Sequence, residues 1–142
     1  MTDISVATTA YQVEDLSWDL STAESPGFRQ SVTLDISAFD ATQHYPNGYI
    51  PSGCVIGIIT ATGKAGPYLA GGSGGLETAY GFLAASTKVP NTADTTIDVG
   101  AAALVAFSAV DVAALPFTTA ETLGGFLDAA GRVDLPNLYF VG

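Results

Sequence analysis

Charge is scarce in this chain. Asp, Glu, Lys and Arg make up 13% of its 142 residues, about half the roughly 25% of an ordinary globular protein. Only four residues are basic, and Arg29, Lys64, Lys88 and Arg132 stand one at a time, so there is no basic stripe to follow a phosphate backbone. Fourteen acids against those four bases give a net charge of −10, which repels nucleic acid and anionic membrane surfaces. Cysteine is nearly absent: Cys54 is alone, can form no internal disulfide, and fits a reducing compartment. Histidine is represented by His44 only, and no HxH, HxxxH or CxxC occurs, so a metal site would have to be built from carboxylates. No metal and no cofactor is expected. Long apolar runs are missing too. None reaches the ~18 residues of a spanning helix, and the opening "MTDISVATTAYQVEDLSW" has neither a basic n-region nor an apolar core, so the chain reads as neither exported by a signal peptide nor membrane-spanning.

Reactive constellations are equally thin. Cys54 and His44 could in principle pair as nucleophile and base across a loop, but Cys54 is flanked by Gly53, Val55 and Ile56, without the cationic neighbours that generate a thiolate. It reads as a buried structural cysteine, and His44, between Gln43 and Tyr45, as an exposed or singly hydrogen-bonded imidazole. The stretches "TGKAGP" and "GGSGG" lack the G-x-x-x-x-G-K-[ST] order of a phosphate loop and read as hairpin turns. Glu14 and Asp15 sit together near the N-terminus, and the other acids are dispersed, which predicts solvent-facing singles rather than a glycosidase pair. No enzyme is expected.

What is present is apolar. Hydrophobic residues are 48% of the chain, and with so few charges part of the surface must be covered by sister copies or a partner. Residues 1–29 differ from the rest. They are rich in Thr, Ser, Asp and Glu, with large apolar residues as singles: Ile4, Tyr11, Leu16, Trp18 and Phe28. Such a segment builds no core alone, yet Tyr11 and Trp18 are residues that anchor interfaces. The segment reads as an arm that orders on a partner, with the alternative that Trp18 folds back onto its own domain.

From Ser31 the pattern alternates, Val32, Leu34, Ile36 and Ala38 against Thr33, Asp35 and Ser37, predicting a half-buried strand. A loop follows over about 41–53, set by Pro46, Asn47-Gly48, Pro51 and Gly53. "CVIGIITAT" is apolar on both faces, predicting a strand buried on both sides, with Gly57 a bulge or a close backbone approach. "TAYGFLAAST" reads as a strand with Tyr80 and Phe82 on one side. Two further strands are predicted at 95–99 and, unbroken, at 103–110. "TTAETLGGFLDAAG" carries the one helix signal, with Thr118 and Glu121 as a capping box, Leu123, Phe126 and Leu127 as the apolar face and Gly131 as the stop. "LPNLYFVG" closes the chain as a strand with Leu138 and Phe140 on one face and Tyr139 and Val141 on the other.

The order "YIPSGCVIGIITATGKAGPY", "AYGFLAAST", "ALVAFSAVDVAALP", "LPNLYFVG" behind a polar arm resembles the lambda-like head decoration proteins of tailed bacteriophages over roughly residues 30–142. The resemblance implies a mostly β fold with one short helix, a β-tulip-like domain at 30–142 behind an extended capsid-binding arm at 1–29. It also implies a non-enzymatic cement protein, homotrimeric on the outer surface of the viral capsid. Its partners are the major capsid protein and its own copies, with no direct nucleic-acid or membrane contact, and it is made in the host cytoplasm. In that frame Tyr11, Leu16, Trp18 and Phe28 of the arm bind the capsid, and Pro51, Gly53 and Cys54 position the loop and core strand. A second reading from the residues is a small β-barrel binding module of the receptor- or glycan-binding type.

Overall fold

The computed structural model describes residues 15–22, 24, 26–90, 96–117 and 124–141. They form a mostly β structure with one short helix. The strands are β1 (Phe28–Asp35), β2 (Tyr49–Ile50), β3 (Val55–Ile58), β4 (Ala65–Pro67), β5 (Gly81–Leu83), β6 (Thr87–Lys88), β7 (Asp98–Ala106), β8 (Ser108–Asp111) and β9 (Leu138–Val141), and α1 (Ala129–Asp134) lies between the last two.

Five strands close a barrel in the order β1-β4-β3-β5-β7. Its longest seam joins β1 to β7 antiparallel, from Phe28 opposite Ala106 to Asp35 opposite Asp98. The parallel seam is β1 with β4, at Leu34 and Ala65. Strand β3 sits between β4 and β5 and is buried along most of its length. Val55 faces a core cluster with Trp18, Phe82, Leu104 and Leu138, while Ile56 faces a second with Leu34, Ile50, Cys54 and Leu83. The two-faced apolar run was the legible sign of this placement. At Gly57 the backbone approach is close: a Cβ there would stand 2.9 Å from the Thr78 carbonyl oxygen.

Several elements differ from the sequence expectation, each for a local reason. The strand predicted to run to Ala38 stops at Asp35, whose carboxylate accepts from the Ser37 amide and starts a 3-10 turn over Ile36–Ala38. That turn drops Ile36 into the core. The domain boundary expected at residue 30 falls inside β1. "GKAGP" is not only a turn, because Ala65–Pro67 pair with Ile56–Ile58 as β4. Tyr80 and Phe82 do not share a face: Phe82 lies in the first cluster, and Tyr80 packs against the second.

The predicted unbroken strand at 103–110 is broken at Phe107, whose φ of 60° is the one left-handed value outside glycine among the described residues. That conformation costs an L residue about 1–2 kcal/mol. Its amide donates to the Asn137 carbonyl at 2.7 Å, and the turn sends β7 into the barrel and β8 out of it, to pair in parallel with β9.

The helix is also displaced. Thr118, Glu121 and Leu123 lie outside the described residues. Gly124 and Gly125 have φ of 96° and 89°, which no right-handed helix contains. The observed helix begins after Asp128, whose side chain accepts from the Gly131 amide at 2.7 Å. Gly131, expected as the stop, is therefore inside α1, and Leu127 is buried ahead of it.

Candidate interaction surface

The N-terminal segment is built into the domain from its root. Trp18 is fully buried. Its ring stacks on Phe82 with centroids 5.6 Å apart, and its Nε1–H donates to Ser52 Oγ at 3.3 Å, while that hydroxyl donates to the Asp15 carbonyl at 2.9 Å. Asp19 lies opposite Val110 in an antiparallel bridge, flanked by Leu20 N–H to the Ala109 carbonyl and Asp111 N–H to the Trp18 carbonyl. Arg29 clamps the segment from the side, donating to the Asp19 carboxylate at 2.8 Å and to Ser21 Oγ at 2.9 Å. Burial works to raise the Asp19 pKa, but the hydrogen bonds from Arg29 and Ser21 outweigh it and hold the carboxyl below its ordinary value.

This corrects one assignment. Trp18 was placed with Tyr11, Leu16 and Phe28 among side chains that fill a partner's pockets, and the structure gives its whole surface to the chain's own core. An indole stacked on a phenyl ring with its N–H satisfied has no reason to leave. Leu16 and Phe28 are exposed, and Tyr11 lies outside the described residues. Of the three residues expected to position the loop and core strand, Gly53 abuts Trp18, Pro51 is half-buried with its carbonyl accepting from the Cys54 amide, and Cys54 lies in the second core cluster. Gly53, at φ 88°, leaves no room for a Cβ, which would stand 3.0 Å from the indole and 2.8 Å from Pro116. Cys54 is buried, and burial pushes its thiol up to about 12, in keeping with a structural role.

His44 is neither exposed nor singly bonded. It is fully buried, accepts at Nδ1 from the Asp40 amide at 2.8 Å, and has Nε2 3.0 Å from the Gly124 carbonyl. An amide donating to Nδ1 leaves the proton on Nε2, so the ring is a neutral bridge between two loops. Phe39 and Phe117 meet it edge-on. The acids likewise are not mere solvent-facing singles. Asp15, Asp19, Asp35, Asp40 and Asp111 each accept from a backbone amide two residues ahead, closing turns at the ends of elements. The Tyr68 hydroxyl donates to Asp128 at 2.7 Å. Burial and that carboxylate raise the phenol's pKa.

The outer surface has a different character on one side. The exposed large apolar side chains among the described residues are Leu16, Leu20, Phe28, Phe107, Val133, Tyr139 and Val141. They come from the N-terminal segment and the β1 start it leads into, the β7–β8 junction, α1 and β9. In the β8–β9 sheet Val110 and Leu138 are buried, so Ala109, Asp111, Tyr139 and Val141 point outward, with Ala109 opposite Tyr139 and Asp111 opposite Val141. Leu20 hydrogen-bonds beside Ala109, and Phe28 pairs with Ala106 next to Phe107. Tyr139 is 71% and Phe107 68% exposed. Leu20, Tyr139 and Val141 thus belong to the segments on either side of β8, and Phe28 and Phe107 to the adjoining end of the β1–β7 seam. The sequence reading missed Leu20, Phe107, Tyr139 and Val141. Alternation in "LYFV" separated the two faces of β9, but nothing local said which one met solvent.

Two concave sites of modest size are a hollow of about 340 Å³ between Ile58, Thr60, Glu77 and Tyr80 and one of about 220 Å³ over Tyr68 and Asp128. Among the described residues no three His, Cys, Asp or Glu side chains converge in a way that could hold a metal ion. No family model, curated protein or solved structure matches this chain.

Proposed function

We propose that this chain is a structural decoration protein of a bacteriophage head, docking as a trimer on the outer surface of the shell and cementing it against the pressure of packaged DNA. The observation that carries the reading is the set of exposed large apolar side chains on neighbouring strands, Leu20, Phe28, Phe107, Tyr139 and Val141, on a protein whose charge is otherwise strongly acidic. Exposed apolar side chains gathered on a few adjacent elements of a small domain mark a face made to be covered. The order of sequence motifs supplies the rest of the argument, since it resembles the lambda-like decoration family from the first core strand to the last. The carboxylates and the imidazole support it as well, because they are engaged in holding turns and loops rather than gathered around a cleft.

In this reading the major capsid protein and two sister copies cover the face. Residues upstream of Asp15, Tyr11 among them, clasp the shell from a root fixed by Trp18, with Leu16 and Phe28 alongside. Three such clasps presented together gain affinity through effective concentration. The tight root moves the informative truncation: removal of residues 2–13 spares Trp18, whereas a cut reaching residue 20 removes part of the core.

The test is co-sedimentation of purified protein with expanded phage shells, alongside its mass in solution. Saturable binding at shell three-fold positions, weakened in the chain lacking residues 2–13, is expected. A protein that stays in the supernatant, or that gains thermal stability from a glycan instead, overturns the reading.

A further inference from the structure

His44 is the only histidine of the chain, and so the one side chain whose ordinary titration falls between about pH 5 and 7. The fold places it fully inside and gives each ring nitrogen a task. Nδ1 accepts from the Asp40 amide at 2.8 Å, and the Asp40 carbonyl accepts from the His44 amide at 2.8 Å, so the 40–44 loop is tied to itself twice. Nε2 donates to the Gly124 carbonyl at 3.0 Å, beside Gln43 Nε2, which donates to the same oxygen at 3.2 Å. Gly125 carries the connection inward, its amide donating to the Tyr68 carbonyl at 2.8 Å and its carbonyl accepting from the Val55 amide at 3.2 Å. The imidazole is thus the joint between the 40–44 loop and a segment bonded to β3.

Only a neutral ring fits this joint. A second proton would go to Nδ1, where the Asp40 N–H already points, and two donors would then face each other in a space flanked by Phe39 and Phe117. A buried cation also needs a counter-charge. Of the titratable groups on the elements around the ring, Asp40 turns its carboxylate to the Thr42 and Gln43 amides, Asp128 turns its own to Tyr68 and Gly131, and Tyr45 and Cys54 are uncharged in this pH range. Glu121 lies outside the described residues. Phe39 and Tyr45 belong to the core cluster that holds Cys54, and the Cys54 sulfur is so near Gly125 that a Cβ there would stand 3.2 Å from it. A ring that leaves for water takes cover from this cysteine.

We propose that His44 is an acid-operated latch: protonation of its ring parts the 40–44 loop from Gly124 and uncovers Cys54. The unfolded chain takes up the same proton at about pH 6.5, whereas the folded one must first open. Stability held by the bridge is therefore whole above that pH and falls below it, by up to about tenfold in the folded-to-unfolded ratio per pH unit. The latch does not depend on what covers the outer face.

The test uses the full-length protein and its single cysteine. Cys54 is labelled with a pyridyl disulfide, which still reacts with thiols in weak acid, at neutral pH and near pH 5, each rate being divided by that of the urea-unfolded chain at the same pH. Labelling is expected to be about tenfold or more faster at the lower pH and insensitive to low urea, as a local opening is. Nitrogen NMR of the wild-type ring is expected to show the Nε2–H tautomer at neutral pH and to gain the second proton over the range in which labelling accelerates. In His44→Phe, whose ring takes no proton, the difference between the two pH values is expected to vanish. Equal labelling at both pH values in the wild type overturns the proposal, as does an acceleration that survives in His44→Phe or that grows with low urea, the mark of global unfolding. A ring already charged at neutral pH, or stability that rises on acidification, overturns it too, because either result sets a carboxylate such as Glu121 against the imidazole.

Discussion

Trp18→Ala is the sharpest perturbation this structure offers, because the same residue read from sequence belongs to an arm. An exposed or partner-seeking indole would cost the free protein nothing on truncation. In the structure the ring is fully buried and stacked on Phe82. Burying a tryptophan removes on the order of 200 Å² from water, worth about 5 kcal/mol at 25 cal/mol per Å², an upper figure because unfolded chains are partly compact. The Ser52 hydroxyl keeps the Asp15 carbonyl as its acceptor, so the lost indole bond adds only about 1 kcal/mol. A net loss of about 3–5 kcal/mol is expected, a large part of the roughly 5–15 kcal/mol that holds a domain together. Urea unfolding followed by circular dichroism measures it. Trp18 is also the only tryptophan, so wild-type fluorescence reports on the segment itself, and its transition should coincide with that of the backbone signal. A loss below about 1 kcal/mol, or fluorescence that changes well before the backbone unfolds, refutes the reasoning and restores the arm.

Other perturbations separate local causes. His44→Phe fills the same space between Phe39 and Phe117 but strands the Asp40 amide, so equilibrium unfolding should show a loss of about 1–3 kcal/mol; no loss would mean that the bridge is dispensable. Cys54, with its thiol pushed up to about 12 by burial from an ordinary 9.0, should resist alkylation at pH 8 until the chain is unfolded by urea, and rapid native-state labelling would contradict the packing. Because the folded pKa is the higher one, the stability tied to this thiol is intact below about 9 and is lost as pH rises from there towards 12. Phe107→Gly relieves the left-handed backbone and should melt no lower than wild type, whereas Phe107→Val, β-branched at the same φ, should lose about 1–2 kcal/mol; the opposite ranking would show that the ring rather than the backbone dominates.

The parts of the fold legible in the sequence are those whose signal is periodic. The alternation after Ser31, the two-faced run at Val55–Ile58 and the closing Leu138–Val141 each became strands, because hydrophobic patterning and burial are one constraint seen twice. What failed depended on tertiary partners. Phe107 sits in an unbroken apolar run, and only the bond to Asn137, from a distant part of the chain, turns it out of register. His44 looked like a loop residue because its acceptor, Gly124, is eighty residues away. Gly124 and Gly125 fall inside the predicted helix, where each would cost about 1 kcal/mol, and their positive φ instead brings the chain against Tyr68. The exposed apolar side chains were the least legible, since an exposed Tyr139 and a buried Leu138 are both simply apolar letters in a strand.

The barrel's long seam bears on when the protein becomes competent. Phe28 meets Ala106 and Asp35 meets Asp98, so the ring cannot close until the chain has been made past Ala106, and its rate is governed by the search for distant partners rather than by local turns. His44 cannot reach Gly124, nor β8 reach β9, until later still. A chain made only as far as β7 therefore lacks the strand that holds Tyr139 and Val141, and the exposed apolar side chains come together only after β9 has been made.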